Sequence, residues 1–408
     1  MTALTRRELL RRLALAGVAI PGLPAVLAAC GSDSSDTPAA ASAAPTSAAT
    51  PESTAAMAAE TTGAAAAADT TAAAIAADTT AAAAAAGGVT GTLNFLNFTG
   101  WIGKGEYAGF SAKFPGAKVN EVPWQSSDDA IAKAKDRSGD IDVLLVDGTT
   151  FPSIEAVGAL AEFGDKVPNL SFVDAEFKSR SWDPENTRFA ATDYGRTGFA
   201  YRKDLVKETP TSWADFFKIM GNYKAKVGVL DYQRSVMGSI LISLGLSESS
   251  KDPADLAKVA ARLKEIKPNL LAIATEPGKQ LASGDLALAI ADAYDVYSAQ
   301  QKNPNIVWVD PSEGQVAYLE GLAVLKGPRE DLARTFVNFH LDPANYADFI
   351  NTVSSPGVQS TNTAITEALR TSPVLNPSAE VRKKIVFHNV LGDATELWQQ
   401  TWDGFKAA

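Results

Sequence analysis

Cysteine, histidine and long apolar runs are scarce in this chain of 408 residues, which has one cysteine, Cys30, and two histidines, His340 and His388. A single thiol excludes an intramolecular disulfide framework. With no cysteine beyond residue 30, no His-x-x-Glu-His and no paired-histidine spacing, a zinc or iron centre is disfavoured. No calcium-loop pattern is present. The Gly-x-Ser-x-Gly elbow of serine hydrolases is missing, since Gly198-Phe199-Ala200-Tyr201 and Gly238-Ser239-Ile240 lack its form. Gly103-Lys104-Gly105 is not a phosphate-cradling loop. Positive charge is also short: 37 Lys and Arg against 47 Asp and Glu leave a net −10, which disfavours nucleic acid and anionic ligands. Past the first thirty residues, no uninterrupted apolar run reaches the roughly 18 residues of a spanning helix.

The first thirty residues read as an address. Arg6, Arg7, Arg11 and Arg12 precede an apolar stretch from Leu13 to Leu27 that Gly17 and Pro21-Gly22-Leu23-Pro24 interrupt. That is an export signal, residues 1–29, and not a membrane span. Arg6-Arg7 fits either twin-arginine export or an ordinary charged leader. The stretch ends in Leu27-Ala28-Ala29-Cys30, small residues before a cysteine, as a lipoprotein signal peptidase requires. Cys30 is therefore expected to carry a diacylglycerol anchor on the outer face of the bacterial cytoplasmic membrane. Four arginines and one glutamate leave with the signal, a net +3, so cleavage moves the charge from −10 to −13.

Residues 30–88 are almost wholly Ala, Thr, Ser, Pro and Gly, with Ala-Ala-Asp-Thr-Thr-Ala-Ala-Ala at 67–74 and again at 76–83. Such a segment has too little large apolar surface to offset the entropy of ordering it, so it is expected to be a disordered tether.

The composition changes at Thr92. Leu93-Asn94-Phe95-Leu96-Asn97-Phe98 alternates as a strand does, a helix is expected up to Lys113, and Phe114-Pro115-Gly116 stops it before Lys118-Val119-Asn120-Glu121-Val122. This predicts an opening βαβ unit of an α/β fold. Val143 to Val146 form a continuous apolar run between Asp142 and Asp147, the pattern of a buried parallel strand, and Gly148-Thr149-Thr150 follows its carboxyl end, where open α/β sheets bind ligands. Asp252-Pro253 opens a helix with apolar Leu256, Val259, Ala260, Leu263 and Ile266. Runs at 286–291 and 321–325 predict two more strands, the first delivering Asp292 and the second entered through Tyr318 and Glu320. Acids and aromatics thus gather at strand ends. Asp292 and Asp295 fit either a site or solvated strand-end charges. Phe98, Trp101 and Tyr318 fit either a ligand wall or packing, and His388 either a site or the surface. His340 reads as a structural residue at a helix end.

From residue 92 to the end, the chain resembles the spermidine/putrescine-binding proteins of ABC importers, a branch of the family 1 extracellular solute-binding proteins. The resemblance rests on an ordered series: Leu96-Asn97-Phe98-Thr99, Trp182-Asp183-Pro184-Glu185-Asn186, Pro210-Thr211-Ser212-Trp213-Ala214-Asp215-Phe216, Lys267-Pro268-Asn269, Tyr318-Leu319-Glu320 and Ser355-Pro356. It implies a two-lobed periplasmic-binding-protein type II fold, each lobe a mixed sheet flanked by helices, with one ligand in the cleft. Lobe 1 would be 92–196 with 318–363, and lobe 2 would be 197–317 with 364–408. By position it implies ligand contacts at Phe98, Thr99, Trp101, Asp147, Thr149, Asp231, Tyr232, Asp292, Tyr318, Glu320, Ser355 and His388. Gly100 and Ser235 stand where the family has acids, Asp292 stands where it has tryptophan, and Asp147 adds an acid where the family has a hydroxyl.

The expected ligand is a small organic cation, a polyamine held by carboxylates and aromatic faces, and another small organic ligand is the alternative. The expected partners are an ABC permease and ATPase and the membrane through Cys30, with no nucleic acid, no cofactor and a monomeric state. Two other classes stay open: a surface glycoside hydrolase using two of Asp147, Asp292 and Glu320, which would show turnover, and a sensor that reports to a membrane partner.

Overall fold

A computed structural model of the chain describes residues 89–124, 127–136, 140–156 and 159–408. The export signal, Cys30 and the tether lie outside the described residues.

The opening unit is the expected one. Strands β1 (Gly91–Phe98) and β2 (Ala117–Trp124) run parallel, from Gly91 opposite Ala117 to Phe98 opposite Trp124. The helix Glu106–Lys113 joins them, with its acid in the first turn and its lysine in the last, as the helix dipole favours. Gly116 takes a φ of +99°, which makes it the residue that can turn the chain back into β2. Strand β3 (Val143–Asp147) is buried along its whole length and parallel to β1.

The later strands are β4 (Leu160–Ala161), β5 (Ala190–Arg202), β6 (Val227–Leu230), β7 (Leu270–Ala274), β8 (Leu288–Asp292), β9 (Ile306–Val309), β10 (Gln315–Leu325) and β11 (Ile385–Phe387). The main path of the sheet is β2-β1-β3-β10-β5-β8-β6-β7. β10 is antiparallel to both β3 and β5, and β5 is antiparallel to β8, whereas β6 is parallel to β8 and to β7. Each half of the sheet is therefore mixed.

Two long strands, β5 with 13 residues and β10 with 11, pass between two hydrophobic cores. The first core gathers Phe95, Val143, Phe189, Tyr194, Leu322, Phe336 and Phe349. The second gathers Phe199, Trp213, Val227, Ile240, Leu263, Leu288 and Trp398. A smaller group, Leu281, Leu286, Val296 and Ile306, packs beside Ala200, Ala289 and Ala291. Because both faces of β5 and β10 are covered, neither strand shows the alternation that would mark it from sequence.

One expectation needs correcting. β10 begins at Gln315, so Tyr318 and Glu320 lie inside the strand and not at its entrance. Ile365, Leu369 and Leu375 pack into the first core. The helix at Pro253–Ile266 is as expected: the Asp252 side chain accepts the Ala254 N–H at 2.8 Å and Leu256, Val259, Leu263 and Ile266 are buried, but Ala260 is exposed. Among the described residues, no helix is long and apolar enough to cross a membrane.

Candidate functional site

Where the long strands pass between the cores, the register lines up carboxylates. Glu320 of β10 stands opposite Asp147 of β3 on one side and opposite Asp193 of β5 on the other. Directly opposed residues place their Cβ atoms about 5 Å apart, so the three acids form a row across three strands. A fourth, Asp292, ends β8 opposite Thr197 of β5. Asp147, Asp193 and Asp292 are buried and Glu320 is partly exposed.

Neutral donors hold three of these acids. Asp147 accepts the Thr149 N–H at 2.7 Å and the Tyr232 hydroxyl. Asp193 accepts the Ser355 hydroxyl at 2.7 Å, the Thr192 hydroxyl at 3.0 Å and the Trp101 indole N–H at 3.4 Å. Asp292 accepts the Thr197 hydroxyl at 2.6 Å and the Tyr318 hydroxyl at 3.3 Å, with the Ser235 hydroxyl 2.8 Å behind Thr197. Among the described residues, no ion pair includes any of the four.

The electrostatic consequence follows from burial without a counter-charge. Burial pushes Asp292 up to about 7, outweighing the hydroxyls of Thr197 and Tyr318. Burial also pushes Glu320 well above the carboxylate range, and the charges of Asp193, Asp147 and Asp292 add to the shift. Asp193 is raised by burial despite its three donors. Tyr232 is raised by burial and by Asp147, so its phenol stays protonated and donates.

Aromatic rings wall this region. Trp101 meets Tyr294 edge-on at 5.2 Å, and Tyr232 meets Tyr318 at 5.6 Å and His388 at 6.1 Å. Beside the Trp101–Tyr294 pair lies a hollow of about 240 Å³ that Glu276, Lys279 and Asp295 also line. A second, of about 430 Å³, lies between Phe98 and Thr99 on one side and Thr275, Glu276 and Lys279 on the other.

The structure thus brings together Trp101, Asp147, Tyr232, Asp292, Tyr318, Glu320 and Ser355, with Phe98 and Thr99 at the adjoining hollow. Thr149 contributes through its backbone N–H. His388 is buried, not on the surface; burial, with Arg234 adding to it, holds its pKa well below the usual histidine range, and neither ring nitrogen has a partner among the described residues. Asp231 does not join the group, because its exposed carboxylate pairs with Lys406 at 2.8 Å. Asp295 is not a solvated charge: it is buried, pushed up to about 6 by that burial, and accepts the Gly278 N–H at 2.6 Å. His340 ends the helix Glu330–His340 and bonds Glu106 at 2.7 Å, a structural pairing.

Sequence reasoning missed Asp193, Thr197 and Tyr294. Asp193 had a signal, being the one acid within the otherwise uncharged run from Phe189 to Gly195. Among the described residues, no group of three His, Cys, Asp or Glu is placed to hold a metal ion.

A mixed sheet with two long strands passing between two cores, and a polar, aromatic-walled cleft at that junction, defines a two-lobed ligand receptor. Residues 107–368 match the family of bacterial extracellular solute-binding proteins, and the chain belongs to that family. It is one of binding proteins for transport, not a class of enzymes. The chain is 25% identical over 303 residues to spermidine/putrescine-binding periplasmic protein 1 of Haemophilus influenzae, covering 72% of this chain and 84% of that one. Its fold is similar to the TpPotD lipoprotein of Treponema pallidum, with a TM-score of 0.70 and 23% identity, covering 77% of this chain and 99% of the other. It is also similar to the spermidine/putrescine ABC transporter substrate-binding protein PotD of Streptococcus pneumoniae, at 0.67 and 23%, covering 78% and 99%.

Proposed function

We propose that this protein captures a small organic cation, a polyamine such as putrescine or spermidine, between its lobes and delivers it to the permease and ATPase of an ABC importer. The observation that carries the reading is the convergence of Asp147, Asp193, Asp292 and Glu320 with no ion-paired cation among the described residues. A ligand ammonium supplies the missing charge, and the faces of Trp101, Tyr232, Tyr294 and Tyr318 cover methylene groups and add cation–π attraction of about 0.5–2 kcal/mol. The similarity to the spermidine/putrescine-binding periplasmic protein 1 of Haemophilus influenzae supports the same ligand class.

The proposed contacts are Phe98, Thr99, Trp101, Asp147, Asp193, Tyr232, Asp292, Tyr318, Glu320 and Ser355, with Thr149 and His388 supporting them from behind. The lobes are 92–196 with 318–375 and 197–317 with the remainder of the chain. Cys30 carries the lipid anchor outside the cytoplasmic membrane, residues 30–88 are the tether, and the protein acts as a monomer without a cofactor.

Glu320→Gln and Asp292→Asn are the direct test, read by equilibrium dialysis with labelled putrescine and spermidine. Each is expected to weaken binding by about 1.5–3 kcal/mol, the loss of a charge-assisted hydrogen bond in a desolvated site. Unchanged affinity in both variants would remove the acid cluster from the binding site and with it the cation reading.

A further inference from the structure

Gly195 of β5 stands opposite Tyr318 of β10. It is not among the residues with positive φ, so no left-handed turn accounts for a glycine in the middle of a 13-residue strand. Space does. A β-carbon at Gly195 would lie 1.9 Å from Cζ of Tyr318, 2.2 Å from its hydroxyl oxygen and 2.3 Å from Cε1. The phenol end of Tyr318 therefore rests on bare β5 backbone, a position closed to any larger residue.

The neighbours give this contact its meaning. Along one face of β5, two residues to either side of Gly195, are Asp193 and Thr197, since alternate residues of a strand share a face. Asp193 is opposite Glu320, and Thr197 is opposite Asp292 on the other flank. Four strand residues span roughly 13 Å, so the Asp193–Glu320 pair and Asp292 are separate acid sites with Tyr318 between them. The Tyr318 hydroxyl, 3.3 Å from Asp292, keeps the ring pointed at the second site.

Resting on the cation reading above, we propose that Gly195 is a specificity-determining position. By leaving backbone bare beneath Tyr318 it lays an aromatic floor between two acid sites, which selects a linear ligand with two cationic ends joined by a methylene chain. Gly195 does not touch the ligand; it acts through Tyr318 and is a positioning residue.

The test titrates the full chain as wild type, Gly195→Ala, Tyr318→Ala and the double variant with 1,3-diaminopropane, putrescine, cadaverine and spermidine. Gly195→Ala is expected to weaken the best amine by about tenfold or more and to flatten the ranking by chain length. The double variant, which relieves the clash, is expected to match Tyr318→Ala within about twofold, as residues acting through one contact are non-additive. Wild-type affinity and ranking in Gly195→Ala would overturn the proposal, as would a double variant weakened by both factors together. Should Gly195→Ala not fold, Tyr318→Leu keeps the glycine and removes the floor, and retention of the wild-type ranking there would also overturn it. A wild type that binds none of the four amines defeats the cation reading itself, and this inference with it.

Discussion

The buried acids shape the protein's response to pH as well as its choice of ligand. Burial pushes Asp292 up to about 7 in the folded protein against 3.8 for an exposed aspartate, and it shifts Glu320 and Asp193 the same way. A raised folded pKa means that the native state holds a proton the unfolded chain has already released. The stability it contributes is fully present below about pH 4 and is lost as pH rises to about 7, with a slope on the order of 1 kcal/mol per pH unit per group. Urea unfolding of the ligand-free protein should therefore show Asp292 lowering stability between pH 5 and pH 7, and Asp292→Asn should flatten that slope. An unaltered slope in the variant would mean that Asp292 is ionised throughout. A cationic ligand replaces the protons, so its affinity rises with pH over the same range.

Some of these residues were legible in the sequence and others were not, for a physical reason. Asp147, Asp292 and Glu320 stand beside apolar runs, where an acid is conspicuous. Asp231 looked equivalent, yet the chain turns its carboxylate outward to Lys406. Asp193 carried a local signal, an acid in an otherwise uncharged stretch, but its role depends on β10, more than a hundred residues away in sequence. Gly195 was hidden more deeply, since only the cross-strand position of Tyr318 explains it.

Among the secondary-structure elements, the local ones were the readable ones. The β1–helix–β2 unit and the Asp252-capped helix follow from alternation, caps and proline placement over short spans. The long strands β5 and β10 were read only in part, because burial on both faces removes the periodic signal. Arg196, which is fully buried on β5, adds a side-chain link to their backbone pairing. Its guanidinium bonds Asp310, Gln315 of β10 at 2.7 Å and the carbonyls of Pro373 and Val374 at 3.1 and 2.6 Å, and lies over the Trp308 ring. One side chain thus ties β5 to β10 and to the returning chain. Arg196→Met leaves these acceptors unpaired and should cost about 3–5 kcal/mol in urea unfolding, while a loss under about 1 kcal/mol would show that the junction is held by backbone pairing alone.

For the molecule as a whole, contacts between the two cores' segments come from the same side chains that wall the cleft. Asp147 ends a strand of the first core and accepts from Tyr232, which packs against the second, while Tyr294, on the helix whose Val296 and Ala299 join the smaller group, packs against the first core beside Trp101. The architecture was readable in outline from the ordered series of residues between Leu96 and Pro356, whereas the packing of Ile365, Leu369 and Leu375 into the first core was not, because it is marked only by where three aliphatic side chains come to rest. Calorimetric titration of the purified full-length protein with putrescine, spermidine and spermine, with neutral sugars and amino acids as controls, tests the central claim most directly. Micromolar or tighter binding of a polyamine, with no heat from the controls, is the predicted result. Binding of a sugar or an amino acid while every amine fails would contradict it.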